Sequence, residues 1–224
     1  MKLKTLTTAM ILATVPMTGA FAAALDRSGQ SIAAFLQPGN YFEAGLSVLD
    51  PNVSGKARPT SGSGTLSDMA GDYYFPSAAL KIQATDHFSV GLIYDQPFGA
   101  DATYSVSDPL VGPGTGLFHA NGEATAVDVT TQNLSLILGY QPTENWNIYG
   151  GAAYQTIKGD VKLRGAAYGT TTAFGGYNAN IDEDGAVGWL AAIAYQIPEI
   201  ALKASLTYRS EIEHSVNIKE SAIP

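Results

Sequence analysis

The sequence lacks cysteine, has few charged residues and contains no apolar run long enough for a spanning helix. None of its 224 residues is Cys, which excludes a secreted domain held together by disulfides. Charged residues make up 14% of the chain, against roughly 25% in ordinary soluble domains. A membrane-spanning helix needs roughly 20 consecutive apolar residues. If the mature chain sits in a membrane, it must therefore do so as strands.

Basic residues are also scarce. The chain has 12 Lys and Arg against 20 Asp and Glu, a formal net charge of -8. Neutralising nucleic-acid phosphates needs a dense Lys/Arg surface, whereas the basic residues here are scattered. The composition therefore argues against a nucleic-acid partner.

Residues that commonly build catalytic or metal sites are few and dispersed. His87, His119 and His214 have no partner at metal-ligand spacing, and we expect them in wet turns and loops. The acidic run 182–184 lacks the spaced ligands of a calcium loop and is interpreted as a solvated turn. No Ser/His/Asp arrangement stands out. The sequence predicts no metal, no cofactor and no enzyme activity.

The N-terminus has the three parts of an export signal. Lys2 and Lys4 precede an apolar stretch over 6–15, and Ala20-Phe21-Ala22 supplies a small-x-small cleavage site. Residues 1–22 are therefore predicted to be a cleaved signal peptide, and residues 23–39 lead into the mature fold.

From residue 40 to 224 apolar and polar residues alternate in seven segments, a pattern typical of antiparallel strands in an outer-membrane barrel. Short turns near 86, 143 and 198 alternate with long loops over 51–72, 95–126 and 159–185. The predicted strands cover approximately 40–49, 77–82, 88–94, 127–140, 146–155, 187–195 and 202–211.

Aromatic residues at the ends of the apolar faces favour a membrane over a soluble β-sandwich, because such rings prefer the membrane interface. The opposite faces carry Lys, Arg, Glu, Gln and Asn, which suit a wet lumen better than a dry core. A secreted sandwich is the alternative. The aromatic residues are Phe42, Phe88, Tyr94, Tyr140, Trp146, Tyr154, Tyr195 and Tyr208.

An odd number of strands cannot close an antiparallel barrel, and open edges cannot be solvated by lipid. We therefore expect that the chain is a fragment, the product of a truncated gene, or completed by a separate chain.

Several stretches resemble the FadL family of outer-membrane transporters for hydrophobic compounds. The resemblance covers residues from about 40 to 211. Its most specific element is the closing Leu206-Thr207-Tyr208-Arg209-Ser210-Glu211. The others are Val53-Ser54-Gly55, Asp86-His87-Phe88-Ser89-Val90-Gly91, Asn133-Leu134-Ser135 and Trp146 with its following strand.

This resemblance implies a transmembrane antiparallel β-barrel of fourteen strands, of which this chain holds the first seven. It implies passive diffusion of long-chain fatty acids or other hydrophobic molecules in the outer membrane of a Gram-negative bacterium. Further partners would be outer-membrane lipid, lipopolysaccharide and the barrel-assembly machinery. The alternative function is a structural or adhesive barrel whose loops bind surfaces.

In the family the ligand leaves sideways through a gap at a kinked third strand, which corresponds here to Pro97, Phe98 and Gly99. The residue types agree, since Pro97 removes a ladder donor and Gly99 permits a bulge. The alternative is that Pro97 simply begins an external loop.

A fatty-acid carboxylate in an apolar pocket needs a cation. The predicted loop after the fifth strand supplies Lys158, Lys162 and Arg164, and Arg164 lies close to the position of the family's pocket arginine. The alternative is a basic residue on a solvated loop.

The plug that the resemblance implies is shortened here. The family's plug has some forty residues with an Asn-Pro-Ala signature, whereas only residues 23–39 precede the first strand. Residues 31–36 are predicted to fold into the lumen with Phe35 touching ligand, or else to form a short ordered lead-in.

Overall fold

The computed structural model describes residues 25–57, 64–168 and 176–222. The predicted signal peptide lies outside these residues. Two 3-10 helices, Ala166–Tyr168 and Pro198–Ile200, accompany the strands. The strands are β1 Tyr41–Leu49, β2 Gly55–Lys56, β3 Thr65–Leu66, β4 Tyr73–Gln83, β5 Phe88–Asp95, β6 Gly99–Thr103, β7 Leu110–Gly112, β8 Thr115–Gly116, β9 His119–Ala120, β10 Glu123–Ala124, β11 Ala126–Tyr140, β12 Trp146–Arg164, β13 Gly176–Ile197, β14 Leu202–Arg209 and β15 Ile218–Ala222.

One antiparallel sheet of nine strands organises the chain. Its order is β1-β4-β5-β11-β12-β13-β14; β6 pairs with β11 and β15 pairs with β13, off this path. Each long strand therefore lies beside the next long strand in sequence. The predicted all-β, antiparallel, up-and-down architecture is confirmed.

Successive side chains of β5, β11 and much of β12 alternate between an exposed and a buried face. In β11, Leu138 is 60% exposed while the adjacent Ile137 is 0% exposed. The large side chains on the exposed face are apolar, the reverse of a soluble sheet. They include Phe42, Leu46, Leu80, Val90, Leu92, Leu134, Leu136, Ile148, Tyr154, Trp189, Leu206 and Tyr208.

The buried face is concave and packs against residues 25–40, here called the N-terminal segment, of which residues 34–36 are buried. Side chains from β4 and β14, the second and seventh places in the strand order, both contact this segment. The sheet therefore curves round the segment as a partial barrel. The apolar cluster between them comprises Ala34, Phe35, Leu36, Ala79, Ile93, Ile137, Tyr149, Leu190 and Ala194.

Three short connections, 84–87, 141–145 and 198–201, lie at one end of the sheet. Longer connections lie at the other end and contain two small sheets, β2-β3 and β7 to β10. His119 is buried in the second of these, where its Nε2 contacts the Asp108 carbonyl oxygen at 2.9 Å. The prediction of a wet loop residue was wrong for His119, since its ring packs over Gly116.

The predicted loop over 159–185 was also wrong. β12 continues to Arg164 and β13 begins at Gly176, so most of this region is paired strand. A register shift between Ile157 and Gly159 interrupts the alternation of apolar and polar residues. The strand was therefore not predicted from a period of two.

The acidic run 182–184 lies within β13 rather than in a solvated turn. The Asp182 carboxylate pairs with Lys219 at 2.7 Å, and the Asp184 carboxylate contacts His214 Nδ1 at 3.1 Å. Both partners come from the chain after β14, whose return to the sheet was not predicted. The described stretches contain no helix long and apolar enough to cross a membrane.

Candidate functional site

The sheet has an irregular point where β5 passes into β6. Along β11 the pairing advances three residues, from Asn133 to Thr130, while the opposite chain advances four, from Asp95 to Gly99. One extra residue is therefore accommodated around Pro97, which has no N–H to donate. The side-chain hydroxyl of Thr131 hydrogen-bonds both backbone groups of Phe98. It accepts from the Phe98 N–H at 2.9 Å and donates to the Phe98 carbonyl at 2.7 Å.

On the side away from β11, the sheet is interrupted between β4 and β6. Pairing of β4 with β5 ends at Ala78 and Tyr94. Beyond it, residues 73–77 of β4 pair within the described chain with β1 alone, and β6 pairs with β11 but not with β4. The two sides meet again at the Ala70–Ala102 bridge. We call the opening between residues 73–77 and 96–100 the wall gap.

The N-terminal segment lies in the wall gap. Asp26 and Phe98 form an isolated antiparallel bridge. The Arg27 N–H donates to the Pro97 carbonyl at 2.8 Å, and the Gly99 N–H donates to the Leu25 carbonyl at 2.8 Å. A short piece of chain thus satisfies backbone groups that the neighbouring strand leaves unpaired.

Arg27 fills the gap with its side chain. Its guanidinium lies 4.0 Å from the centroid of the Tyr73 ring, a cation–π contact. A Cβ added at Gly99 would collide with that guanidinium. The absence of a side chain at residue 99 is therefore what lets Arg27 cross the gap.

Asp95, the last residue of β5, binds the same segment beside the wall gap. Its carboxylate is buried and accepts hydrogen bonds from the Ser28 hydroxyl at 2.6 Å and the Asn133 amide at 2.9 Å. Both hydrogen-bond donors are neutral, and the positive charge of Arg209 also interacts with this carboxylate.

Phe35 is the deepest residue of the N-terminal segment, with 1% of its surface exposed. Its ring centroid lies 5.4 Å from that of Tyr149. Gly91 and Gly139 provide the space, since a Cβ on either would collide with the ring. The segment therefore does enter the concavity, with Phe35 as its apolar contact; a ligand contact by Phe35 stays a prediction.

Cations of the sheet hold the turn that carries Phe35. Lys81 Nζ donates to the Gln37 carbonyl at 2.5 Å, and Lys203 Nζ donates to the Leu36 carbonyl at 2.7 Å. Arg209 donates to the carbonyl of Gln30 at 3.1 Å. Sequence reasoning placed these three cations on the polar face of the strands but gave them no role.

A cavity of about 230 Å³ lies between the N-terminal segment and β1, β4 and β5. It is smaller than the roughly 300–1,000 Å³ of common ligand pockets, so a larger ligand requires the segment to move. Its lining mixes polar and apolar side chains, among them Arg27, Glu43, Phe75, Ala79, Ile93 and Asp95.

The predicted headgroup cations lie elsewhere, on β12 rather than in the loop that was expected. Lys158 and Lys162 are exposed. Arg164 is buried and uses every guanidinium nitrogen inside the protein, including an ion pair with Glu123 at 2.7 Å. Its other acceptors are the carbonyls of Leu163 and Tyr177 and the side chain of Asn178. A ligand role for these cations stays a prediction.

Carboxylates crowd the outer connection that leads into β4. The pKa of Asp72 is raised above its ordinary value, chiefly by the negative charge of Asp50, with smaller contributions from Asp68 and Asp101. In the parts of the chain that the structure describes, no group of His, Asp and Glu is arranged to hold a metal ion.

Comparisons with known proteins give similarity at the level of structure. No family model matches the sequence. No curated protein matches it either. Among solved structures the chain is similar to the crystal structure of a Pseudomonas aeruginosa FadL homologue, with 16% sequence identity and a TM-score of 0.39. The match covers 61% of this chain and 30% of the length of that homologue.

Proposed function

We propose that this chain forms part of an outer-membrane barrel that lets hydrophobic molecules, long-chain fatty acids among them, diffuse passively through its wall gap. The observation that carries the proposal is that a strand break at Pro97 leaves part of β4 without a partner on one side, and the N-terminal segment fills the opening.

The apolar outward face supports the membrane location. Burying a Leu, Ile, Val or Phe side chain fully is worth about 1.5–3 kcal/mol, and this face carries many such residues on consecutive strands, including Leu134, Leu136 and Leu138. Lipid recovers that free energy, whereas water does not. Outer-membrane lipid and lipopolysaccharide would cover this face, after insertion by the barrel-assembly machinery.

The position of the wall gap supports lateral exit. A hydrophobic molecule that reaches the lumen gains by entering lipid rather than water, and a gap between two strands gives it a direct path. The N-terminal segment must withdraw from Pro97 and Gly99 for the path to open, because its backbone now occupies the same space.

The cations on the outer part of β12 would act before the ligand enters the barrel. Lys158 and Lys162 are exposed on the extended part of β12, where positive charge would attract a fatty-acid carboxylate. Arg164 would contribute to the same field while its nitrogens hold the strands together.

A reversible crosslink tests the proposal. Asp26 and Phe98 are flanked by hydrogen bonds rather than joined by them, a geometry that places Cα atoms about 4.5 Å apart and suits a disulfide. The chain has no cysteine of its own, so Asp26→Cys with Phe98→Cys creates a single pair.

We expect the oxidised double variant, in cells making the full gene product, to lose uptake of a labelled long-chain fatty acid and to regain it on reduction. The two single cysteine variants are the matched controls. Equal uptake by the oxidised and reduced forms would overturn the lateral route. Uptake no higher than in cells without the protein would favour the adhesive barrel instead.

A further inference from the structure

Residues 210–217, here called the strap, leave the sheet between β14 and β15. β13 pairs with β14 as far as Leu190, which lies opposite Arg209. It pairs with β15 again from Ile181, which lies opposite Ile218. Both chains advance nine residues between these two pairs. The strap therefore has the length of strand that would fill the interruption in unchanged register, without any shift of β14 or β15.

The two ends of the strap keep backbone hydrogen bonds to β13. The Ser210 N–H donates to the Trp189 carbonyl at 2.8 Å. The Asp182 N–H donates to the Asn217 carbonyl at 3.0 Å. Between these two bonds, residues 183–188 of β13 have no ladder partner on this side within the described chain. The strap is thus a strand segment that has left the ladder while its ends remain in place.

The side chains of the strap lie on the face of the sheet opposite to the one that its register predicts. In the ladder, Ile212 would lie opposite Val187, which is 69% exposed on the outward face, and cross-strand neighbours share a face. Ile212 instead lies against Gly188, where an added Cβ would collide with it. Gly188 is buried on the concave face. The strap therefore occupies space on the lumenal side of β13.

His214 holds the strap in this lumenal position. Its Nδ1 lies 3.1 Å from the Asp184 carboxylate, and its Nε2 lies 3.4 Å from the Gln155 side-chain oxygen. The Ser215 N–H donates to the same Asp184 carboxylate at 3.1 Å. Gln155 is buried on the concave face. Entry of the strap into the ladder would break the contacts of His214, because its side chain would then lie on the outward face.

The outward face offers His214 a second partner. In the ladder it would lie opposite Gly185, and a Cβ added at Gly185 would collide with the Tyr154 hydroxyl. That hydroxyl would therefore lie within hydrogen-bond reach of His214. Ile212 would face lipid, where an apolar side chain is favoured, and the strap would regain its ladder hydrogen bonds. Both positions thus satisfy the polar and apolar groups of the strap.

We propose that the strap exchanges between the lumenal position and a place in the ladder, and that its withdrawal into the wall widens the outer part of the passage. The strap directly follows Arg209, which binds the Gln30 carbonyl of the N-terminal segment, so it lies on the outer side of that segment. A hydrophobic molecule entering from outside therefore meets the strap before it meets the N-terminal segment. The widening rests on the proposed function, whereas the exchange does not.

Two cysteine pairs that share residue 212 distinguish the two positions. Gly188→Cys with Ile212→Cys joins residues that touch in the lumenal position. Val187→Cys with Ile212→Cys joins residues that become cross-strand neighbours in the ladder, with Cα atoms about 4.5–5.5 Å apart, a distance that suits a disulfide. We expect both disulfides to form when the full gene product is oxidised in outer membranes, the first faster than the second. Ile193→Cys with Leu206→Cys, a pair in the regular ladder, is the reference.

His214→Phe removes the contacts that hold the lumenal position. It should increase the rate at which the cysteines at 187 and 212 form their disulfide by about tenfold, as loss of a hydrogen bond to a charged group implies. His87→Phe, in a short turn at the other end of the sheet, is the matched control and should leave that rate unchanged. Formation of only one of the two disulfides, or no response to His214→Phe, would overturn the exchange.

Uptake of a labelled long-chain fatty acid by cells making the full gene product tests the widening. The oxidised pair at 188 and 212 should lose uptake and regain it on reduction, whereas the oxidised pair at 187 and 212 should keep it. Equal uptake by the two oxidised forms would show that the strap is no constriction. If no form takes up the acid, even when reduced, the proposed function fails and the widening with it, while the disulfide rates still decide the exchange.

Discussion

The ring of Phe35 lies against the ring of Tyr149, with 5.4 Å between centroids and 52° between planes. This tilted contact joins the N-terminal segment to the fifth place in the strand order. It shows that the segment is packed into the concavity and held by side-chain complementarity as well as by backbone hydrogen bonds.

The fit of Phe35 against glycine gives the first prediction. Phe35→Ala should weaken docking of the N-terminal segment by about 3 kcal/mol, the lower range for Phe truncation in a packed site, and should speed trypsin cleavage after Arg27. Gly91→Ala should act similarly, because its Cβ meets the Phe35 ring.

Combining these two changes supplies the control. In Phe35→Ala with Gly91→Ala the new methyl occupies space that the ring has vacated, so the loss should be smaller than the two single losses together. Strict additivity would show that the residues act independently.

The second prediction concerns the wall gap. Gly99→Val places a branched side chain inside the wall gap, where the Arg27 guanidinium now lies. Because that side chain stays in the gap when the N-terminal segment withdraws, it should lower uptake of hydrophobic molecules while leaving folding intact. Gly112→Val is the matched control, since a Cβ there meets nothing within 4 Å. Labelled fatty-acid uptake and heat-dependent gel mobility measure the two properties. Unchanged uptake in Gly99→Val would contradict the gap as an exit.

The third prediction separates two kinds of cation. Arg164→Gln removes an ion pair and contacts to two carbonyls, so it should loosen the outer ends of β12 and β13 and lower uptake of acid and ester alike. Lys158→Met with Lys162→Met removes exposed charge and should slow uptake of the acid alone, more at low salt than at high salt. A selective loss of acid uptake in Arg164→Gln would assign it a headgroup role.

The fourth prediction concerns pH. Because neighbouring carboxylates raise the pKa of Asp72, its ionised form destabilises the outer connection, and stability is gained as the pH falls through this raised pKa. Asp72→Asn should therefore protect the connection from proteolysis at pH 7. The advantage should disappear below the ordinary Asp pKa of 3.8. An equal advantage at both pH values would exclude charge repulsion as its cause.

The strand order and the exposed and buried faces could be predicted from sequence because period-two alternation is a local property. The apolar Leu134 and the polar Ser135 are neighbours in one strand, so their residue types alone predict that they lie on opposite faces of the sheet. The outer halves of β12 and β13 could not be predicted in this way, because the register shift between them breaks the alternation.

The candidate site was predictable only in part. Pro and Gly inside a strand usually indicate a bulge or a bend, so Pro97 and Gly99 predicted the irregular point. Phe35 was recognised as a large apolar residue before the first strand. The roles of Lys81 and Lys203 depend on curvature of the whole sheet, which brings together residues with no local relation in sequence.

The bonds from Lys203 and Arg209 to the N-terminal segment span 167 and 179 positions of the chain. Contacts so distant in sequence carry a large loop-closure entropy and form late. The N-terminal segment therefore completes its set of contacts only when β14, the seventh strand in the order, is in place.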